Sequence, residues 1–437
     1  MRNAWYACWT VASSTTLSNM LPRSIAALLF LSAAVFADDG KTQFGGHTKF
    51  SLTGQSYPSQ SLFRDLVGNN TLDVSGDLRL NFTSDAGRWS FDAAYQLQAL
   101  NGDSVELGRA LPGGTDIFFP GLPDDDRRLF DLTDIIEDDD KLLVLHRVDR
   151  LTLRYASEKA VIRFGRQALS WGNGLFYAPM DLVNPFDPAA IDTEYKIGDD
   201  MLYVQYLRDS GDDVQGAYVL RRNLSSGDVE VDSSTAAVKY HGFAGEAEFD
   251  LLMAQSYGDP VVGVGGSKSI GGAIWRGDIV TTRTDADTYV QMVTNLTYSW
   301  NWFDRNMSGA IEYFYNGFGQ RSNAYDALSL ANNPDLVRRV TRGELFSIGR
   351  HYLAASVLIE VTPLWTLTPT VLANVSDPSG LFQLVTNYSV SDNMSLLASI
   401  NVPLGPKGTE FGGIESDMAD RYLSGGAGLF AQFAWYF

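Results

Sequence analysis

The sequence predicts an all-β chain folded as a transmembrane antiparallel β-barrel of eighteen strands, with sixteen as the alternative if one weak stretch fails. Three observations predict it. The chain ends on an alternating aromatic strand. Segments of strand length with two-residue periodicity recur from residue 47 onward. Beyond a short leader, no segment has the 18 or so apolar residues of a membrane-spanning helix.

The terminal strand comes first. Leu429, Ala431, Phe433, Trp435 and Phe437 share one parity, so alternation places an aliphatic and aromatic stripe on one face. A lipid-facing strand with an interfacial aromatic girdle has this pattern. The terminal Phe437 also resembles the signal by which Gram-negative outer-membrane proteins engage their barrel-assembly machinery.

At the other end, Arg23 precedes the apolar run Ile25 to Phe36, which closes on Val35-Phe36-Ala37 and turns acidic at Asp38-Asp39. This is the layout of a secretory signal peptide. Residues 1–37 are therefore expected to be removed near Ala37, with Met20 the better start. Residues 38–437 then form one barrel domain located in the bacterial outer membrane. The only cysteine, Cys8, falls in the leader, so disulfides and thiolate chemistry are not expected. An exported chain that crosses a membrane without helices must close into a barrel, since lipid satisfies no backbone polar group. About ten residues precede the first expected strand, too few for a folded plug.

Strands are expected near 47–56, 72–83, 88–99, 146–156, 160–168, 200–208, 214–223, 234–242, 245–255, 260–267, 271–281, 288–300, 306–317, 349–362, 366–376, 381–391, 394–403 and 426–437. The stretch 256–287 is the weak point. In the clearest strand, Leu72, Val74, Leu78, Leu80 and Phe82 face one way, and Asp73, Ser75, Asp77, Arg79 and Asn81 the other. In a membrane barrel the first set meets lipid and the second lines the lumen. Short turns (84–87, 157–159, 243–244, 301–305, 363–365, 391–393) mostly alternate with longer connections (57–71, 100–145, 169–199, 318–348, 404–425), the asymmetry of periplasmic turns and extracellular loops.

The net charge of −19 excludes nucleic acid as a partner, because phosphate backbones need a basic face. Acids cluster at Asp124-Asp125-Asp126, Glu137 to Asp140 and Asp199-Asp200. They read as solvated loops, or as groups that bridge lipopolysaccharide through divalent cations or attract cationic solutes. Asp124 to Glu137 lacks the turn glycine and alternating ligands of an EF-hand.

The polar parity gives a lumen of mixed charge. The expected pore-lining groups are Arg79, Arg150, Arg154, Arg163, Arg276, Asp278 and Glu312. Arg150 and Arg154 on one strand and Arg163 on the next form a basic ladder. Facing acidic strands, it would set up a transverse field, and walls of charge are how pores select solutes. Residues 169–199 pack glycines and prolines between bulky apolar side chains. They are neither regular strand nor a free polar loop, and are expected to fold into the barrel and narrow it. Within this constriction loop, Trp171, Asn173, Asp181, Asn184 and Asp187 are expected to order or line it. Its aromatic content suggests an amphipathic or aromatic solute.

His146-Arg-Val-Asp-Arg150, Gly165-Arg-Gln167, Trp171-Gly172, Asp181, Asn184-Pro185 and Lys196 to Asp200 resemble a porin-like family of proteobacterial outer-membrane proteins of unknown function. The Gly-Arg-Gln and Trp-Gly element more distantly resembles the eighteen-stranded alginate-export type barrel. The strong resemblance covers residues 146–205. It implies an outer-membrane channel; the alginate-export type would add passage of an anionic polysaccharide, from which this chain's mixed lumen and acidic loops depart.

The four histidines (His47, His146, His241, His351) lie on separate strands, with no serine or acid spaced for a triad and no zinc motif. No enzymatic activity, metal or cofactor is expected. The sequence thus points to passive passage of small or medium solutes. An exporter or conduit working with a periplasmic partner is one alternative, and an outer-membrane hydrolase a second. A homo-oligomer is compatible with either channel reading.

Overall fold

The computed structural model describes residues 41–110, 124–320 and 325–437. The expected leader, with Cys8, Met20 and Ala37, lies outside the described residues. Twenty-one strands follow in chain order: β1 (Lys41–Ser56), β2 (Asn70–Ala86), β3 (Trp89–Gly102), β4 (Thr133–Asp139), β5 (Leu142–Ala156), β6 (Ala160–Gln167), β7 (Asp199–Leu207), β8 (Asp213–Val219), β9 (Thr235–Ala244), β10 (Ala247–Ser256), β11 (Asp259–Ile270), β12 (Ala273–Arg283), β13 (Thr288–Trp302), β14 (Arg305–Asn316), β15 (His351–Thr362), β16 (Trp365–Asn374), β17 (Ser379–Ser391), β18 (Met394–Leu404), β19 (Ile414–Glu415), β20 (Tyr422–Leu423) and β21 (Gly428–Tyr436). Short helices α1 (Leu62–Val67), α2 (Asp103–Ala110), α3 (Ala327–Ala331) and α4 (Pro334–Thr341) sit in the connections.

Eighteen of these strands pair antiparallel with their neighbours and close into a barrel. Closure is made by β21, which pairs with β18 on one side and β1 on the other, in the register His47↔Tyr436. Phe437 and Gly46 then exchange both backbone hydrogen bonds. Gly46 is required there, because a Cβ would come within 2.0 Å of the Arg79 carbonyl oxygen. A closed ring leaves no unpaired edge, the condition for a sheet to exist in hydrocarbon.

Alternation sorts the side chains. One parity carries exposed apolar residues around the ring, among them Phe50, Leu80, Phe164, Val204, Met253, Val264, Ile311 and Leu396. A soluble surface would not tolerate this contiguous band. Phe44, Trp89, Phe243, Trp275, Tyr298, Trp302, Trp365, Tyr388 and Trp435 collect toward the end where the turns are short, as an interfacial girdle.

At that end the connections are short, for example 87–88, 157–159, 245–246, 271–272, 303–304, 363–364 and 392–393. At the opposite end lie 57–69, 103–141, 168–198, 220–234, 317–350 and 405–427. All expected ring strands are present, with shifted ends. The weak stretch forms β11 and β12. It read weakly because Gly263 and Gly265 interrupt the pattern, and both lie close under the segment that follows β6. A Cβ on Gly263 would lie 3.3 Å from Met180, and one on Gly265 2.2 Å from Asp278 and 2.9 Å from Asn173. Strand β1 begins at Lys41 rather than 47, and β8 stops at Val219 because 221–222 bond instead to 127–129.

The connection 103–141 departs from expectation. It contains α2 and β4, and β4 pairs with the upper part of β5 beyond the point where β6 ends. The acidic clusters are not all solvated surface: Asp125 in this connection is buried between Arg128 and Arg166, and Asp199 and Asp200 at the start of β7 are buried against Arg221 and Arg166. These pairs seal the wall where β6 leaves it.

Candidate functional site

The departure point is Gly165. Its φ is +112°, and a Cβ there would meet the Leu151 carbonyl oxygen at 2.1 Å, so only glycine fits. Two residues on, the chain leaves the wall, and residues 168–198 bond in turn to strand after strand. Trp171 Nε1 donates to Gln215 on β8 (2.7 Å). The Asn173 backbone N–H and side-chain amide donate to Asp278 on β12 (2.7 Å each). The backbone N–H groups of Leu175, Phe176 and Tyr177 all donate to Glu312 on β14, at 2.6, 3.0 and 2.8 Å. The Tyr177 ring stacks on Phe314, centroids 4.7 Å apart, and touches Tyr352 on β15. Gln383 on β17 donates to the Ala189 carbonyl (2.8 Å), and Gln432 on β21 to Asp192 (3.1 Å). Lys49 on β1 sits between Asp192 and Glu194 at 2.6 and 2.7 Å. The Arg79 guanidinium on β2 covers the Tyr195 ring at 4.3 Å. All these partners lie on the parity opposite to the lipid band, so the segment follows the inside of the ring.

The segment is also tied to itself. Lys196 donates to the Leu169 carbonyl, to Ser170 (3.0 Å) and to Asp181 (2.5 Å), joining start, middle and end through one buried ammonium. Burial pushes the Asp181 carboxyl up to about 6, against the pull of Lys196, and burial lowers the Lys196 ammonium. Asn184 adopts φ +49° and its amide reaches the Ile197 carbonyl. Asp187 is exposed and accepts from the Ala189 N–H in a local turn.

The expected pore-lining residues divide. Asp278 and Glu312 point inward but are 2% and 1% exposed. They are covered by the segment whose backbone they hold, and do not face open space. These two acids therefore do not supply the acidic side of the expected transverse field. Arg276 bonds Thr297 near the short-turn end. Arg150, Arg154 and Arg163 line a cavity of about 510 Å³, together with Asp92, Thr152 and Tyr203. Arg163 lies over the Tyr203 ring at 4.2 Å. Arg79 is buried against Asp149 (2.8 Å). Trp171 and Tyr177, expected to suit aromatic solutes, are 5% and 6% exposed and packed into the wall. Leu175, Phe186 and Tyr195 keep exposed apolar surface.

Two groups escaped sequence reasoning. Asp149 contacts Arg79, Arg147 and Arg150 at 2.8, 2.8 and 2.7 Å. The β3–β5 register skips it, pairing Ala94 with Arg150 and Tyr95 with Val148, so it sits in a bulge and parity changes there. The density of charge in His146-Arg-Val-Asp-Arg150 was the available signal. The second group is a cavity of about 450 Å³ on the β21–β1–β2–β3 wall, beyond Tyr195 toward the long-loop end. The histidines are separate: His47 bonds Asp77, His146 meets Asp134, His241 bonds Asp250 and His351 bonds Tyr313.

The chain matches no protein-family model and no curated protein. Solved structures share its fold. OccAB4 of Acinetobacter baumannii is 8% identical with a TM-score of 0.51, covering 91% of this chain and 98% of its own. A BenF-like porin of Pseudomonas fluorescens is 10% identical with a TM-score of 0.48 over 92% of this chain and 99% of its own. Wzi of Escherichia coli, an outer-membrane carbohydrate-binding β-barrel, is 11% identical with a TM-score of 0.50, covering 94% and 87%. The fold is that of large outer-membrane β-barrels.

Proposed function

We propose that this chain is an outer-membrane channel through which small or medium solutes pass passively, narrowed by residues 168–198. The observation that carries the reading is the circuit of that segment around the inner wall. It packs through apolar clusters against β7 to β16, while cavities of about 450 and 510 Å³ lie along β21–β1–β2–β3 and along β3–β5–β6–β7. Passage is then eccentric, past Tyr195 and the Arg79–Asp149–Arg150 cluster. Arg150, Arg154 and Arg163 give the chamber at the short-turn end a basic wall, which sets its ionic preference. Exposed Leu175 and Phe186 suit a solute with some apolar surface. Short turns would face the periplasm, long loops the exterior and lipopolysaccharide, and Phe437 would serve barrel assembly.

Single-channel conductance of purified protein in a planar bilayer under a salt gradient tests this. Steady open steps with ionic selectivity are expected, changed by Trp171→Ala and Asp181→Ala. Unchanged conductance and uptake in both variants would remove the segment from any constricting role. A tight bilayer with folded protein would favour the conduit that needs a periplasmic partner. That reading has its own support: the long-loop end is roofed by a cluster of Phe318, Tyr325, Leu336 and Ile414 from connections 317–350 and 405–427.

A further inference from the structure

The cavity on the β21–β1–β2–β3 wall has a chemistry distinct from the basic chamber. Its polar groups come from the inward parity of four adjacent strands. Gln96 and Gln98 on β3 lie on one face, a two-residue step of about 7 Å apart. Both donate their amide N–H to the same Asp77 oxygen, Gln98 at 2.9 Å. His47 bonds the other Asp77 oxygen at 3.3 Å. Gln432 on β21 donates to Ser51 (3.2 Å) and to Asp192 (3.1 Å).

These bonds fix what remains for a ligand. Gln432 spends both amide N–H groups on the protein and Gln96 and Gln98 one each, and the three carbonyl oxygens have no partner among the described residues. His47 is 1% exposed, yet its Nδ1 lacks a partner. Asp77 is satisfied by three donors, and Asp192 by Lys49 and Gln432. The Asp77 and Asp192 oxygens are engaged by protein donors, and the amide groups that stay open, both N–H and C=O, carry no charge. A ligand rich in hydroxyl donors, with no charge, matches this lining. Leu100, Leu143, Leu145 and Phe430 add an apolar floor for C–H faces. A volume of about 450 Å³ lies within the ~300–1,000 Å³ range of small-molecule sites.

We propose that this cavity is a binding site for a neutral polyhydroxylated solute of one or two sugar rings, held by the Gln96, Gln98 and Gln432 carbonyls before it reaches the constriction. The proposal deepens the channel reading, and names the solute class that the constriction then admits.

The test has two independent readouts, with glucose and sucrose as probes and glutamate and spermidine as charged comparisons. In a planar bilayer, the sugars added on the long-loop side should interrupt the ion current saturably. The Gln96→Ala/Gln98→Ala double variant should weaken this about tenfold, the loss of two modest hydrogen bonds. Calorimetry of folded protein in detergent reads sugar binding without requiring a pore; resistance of the barrel to unfolding by detergent at room temperature verifies folding of the variant. Conducting protein that neither sugar blocks or binds would overturn the site and leave the channel. A tight bilayer with saturable sugar binding, weakened in the double variant, would overturn the channel and keep the site. Block by spermidine or glutamate at lower concentration than by either sugar would overturn the neutral class. For a variant that does not fold, Gln432→Leu takes its place, with an expected loss of about threefold for one hydrogen bond.

Discussion

Two halves of the inner wall hold the same segment by different means. From β7 to β16 the contacts are dry: Trp171, Met180 and Val183 pack on Met201, Val219, Leu252, Val261 and Val280, and Tyr177 on Val293, Phe314 and Tyr352. The acids on that side, Asp278 and Glu312, accept backbone N–H groups. From β21 through β1, β2, β3 and β5 the contacts are ionic or amide, and open space remains. Buried apolar side chains contribute about 1.5–3 kcal/mol each, whereas the attraction within an ion pair is largely offset by the cost of taking its charges out of water. The segment is therefore anchored on one side and tethered on the other, and charge next to the open space is free to act on solutes.

Removing the anchor should have the largest effect. Glu312 satisfies three consecutive backbone N–H groups, and also accepts from Asn295 (3.1 Å). Hydrogen bonds to a charged acceptor are worth about 1.5–3 kcal/mol each, and donors left buried and unpaired cost more than the bonds contributed. Glu312→Ala should release residues 173–177 from the wall and raise single-channel conductance several-fold. Glu312→Gln, which keeps one acceptor oxygen, should fall between the two. If Glu312→Ala conducts as the parent does, the anchored half is not what holds the segment.

The tethered side is tested by Asp149. Its single negative charge is shared by three guanidinium groups, and Arg150 in turn donates to the Lys196 carbonyl. Asp149→Asn should leave Arg79, Arg147 and Arg150 uncompensated beside the passage. The reversal potential in a salt gradient should move toward anion selectivity by at least about threefold in permeability ratio, with a smaller change in conductance than Glu312→Ala gives. An unchanged reversal potential would place the ion path elsewhere.

The two halves also differ in how far they could be read from sequence. Strands were legible because outward apolar residues alternate with inward polar ones over almost the whole ring. The inward course of the segment was legible because Trp171, Tyr177 and Met180 are too apolar for a free loop that glycine and proline keep out of the sheet. What each inward acid would meet was not. Parity places Asp278 and Glu312 inside but says nothing of the backbone that covers them, because that contact joins residues more than a hundred positions apart. Asp149 was hidden for a local reason, since one bulge residue breaks the two-residue period. Asp125 looked like part of a solvated run, and only the early end of β6 explains why it is buried on Arg166.

The smallest expected effect separates the halves by pH. Asp181 closes the segment on itself through Lys196, and Glu410, which accepts from Tyr352 and Asn374 and from the Ile348 N–H, fastens the connection 405–427 over the anchored side. Burial pushes the Asp181 carboxyl up to about 6 and the Glu410 carboxyl up to about 7. A carboxyl whose pKa is raised in the docked state binds its proton more tightly there than when released. Its contribution is complete below its ordinary pKa near 4, and is lost as pH rises through about 6 for Asp181 and about 7 for Glu410. Docking of both elements should therefore strengthen from pH 8 to pH 4, by up to ~3 kcal/mol for each group. The readout is slower amide hydrogen exchange in 168–198 and 405–427 at acid pH, after correction for intrinsic rates, and quieter open-channel current. Asp181→Asn should flatten the first profile and Glu410→Gln the second, while exchange at Asp192 to Tyr195, tethered through Lys49, stays level across the range. Parallel pH profiles in all three regions would mean that the segment moves as one body, and the division between anchored and tethered halves would not describe its motion.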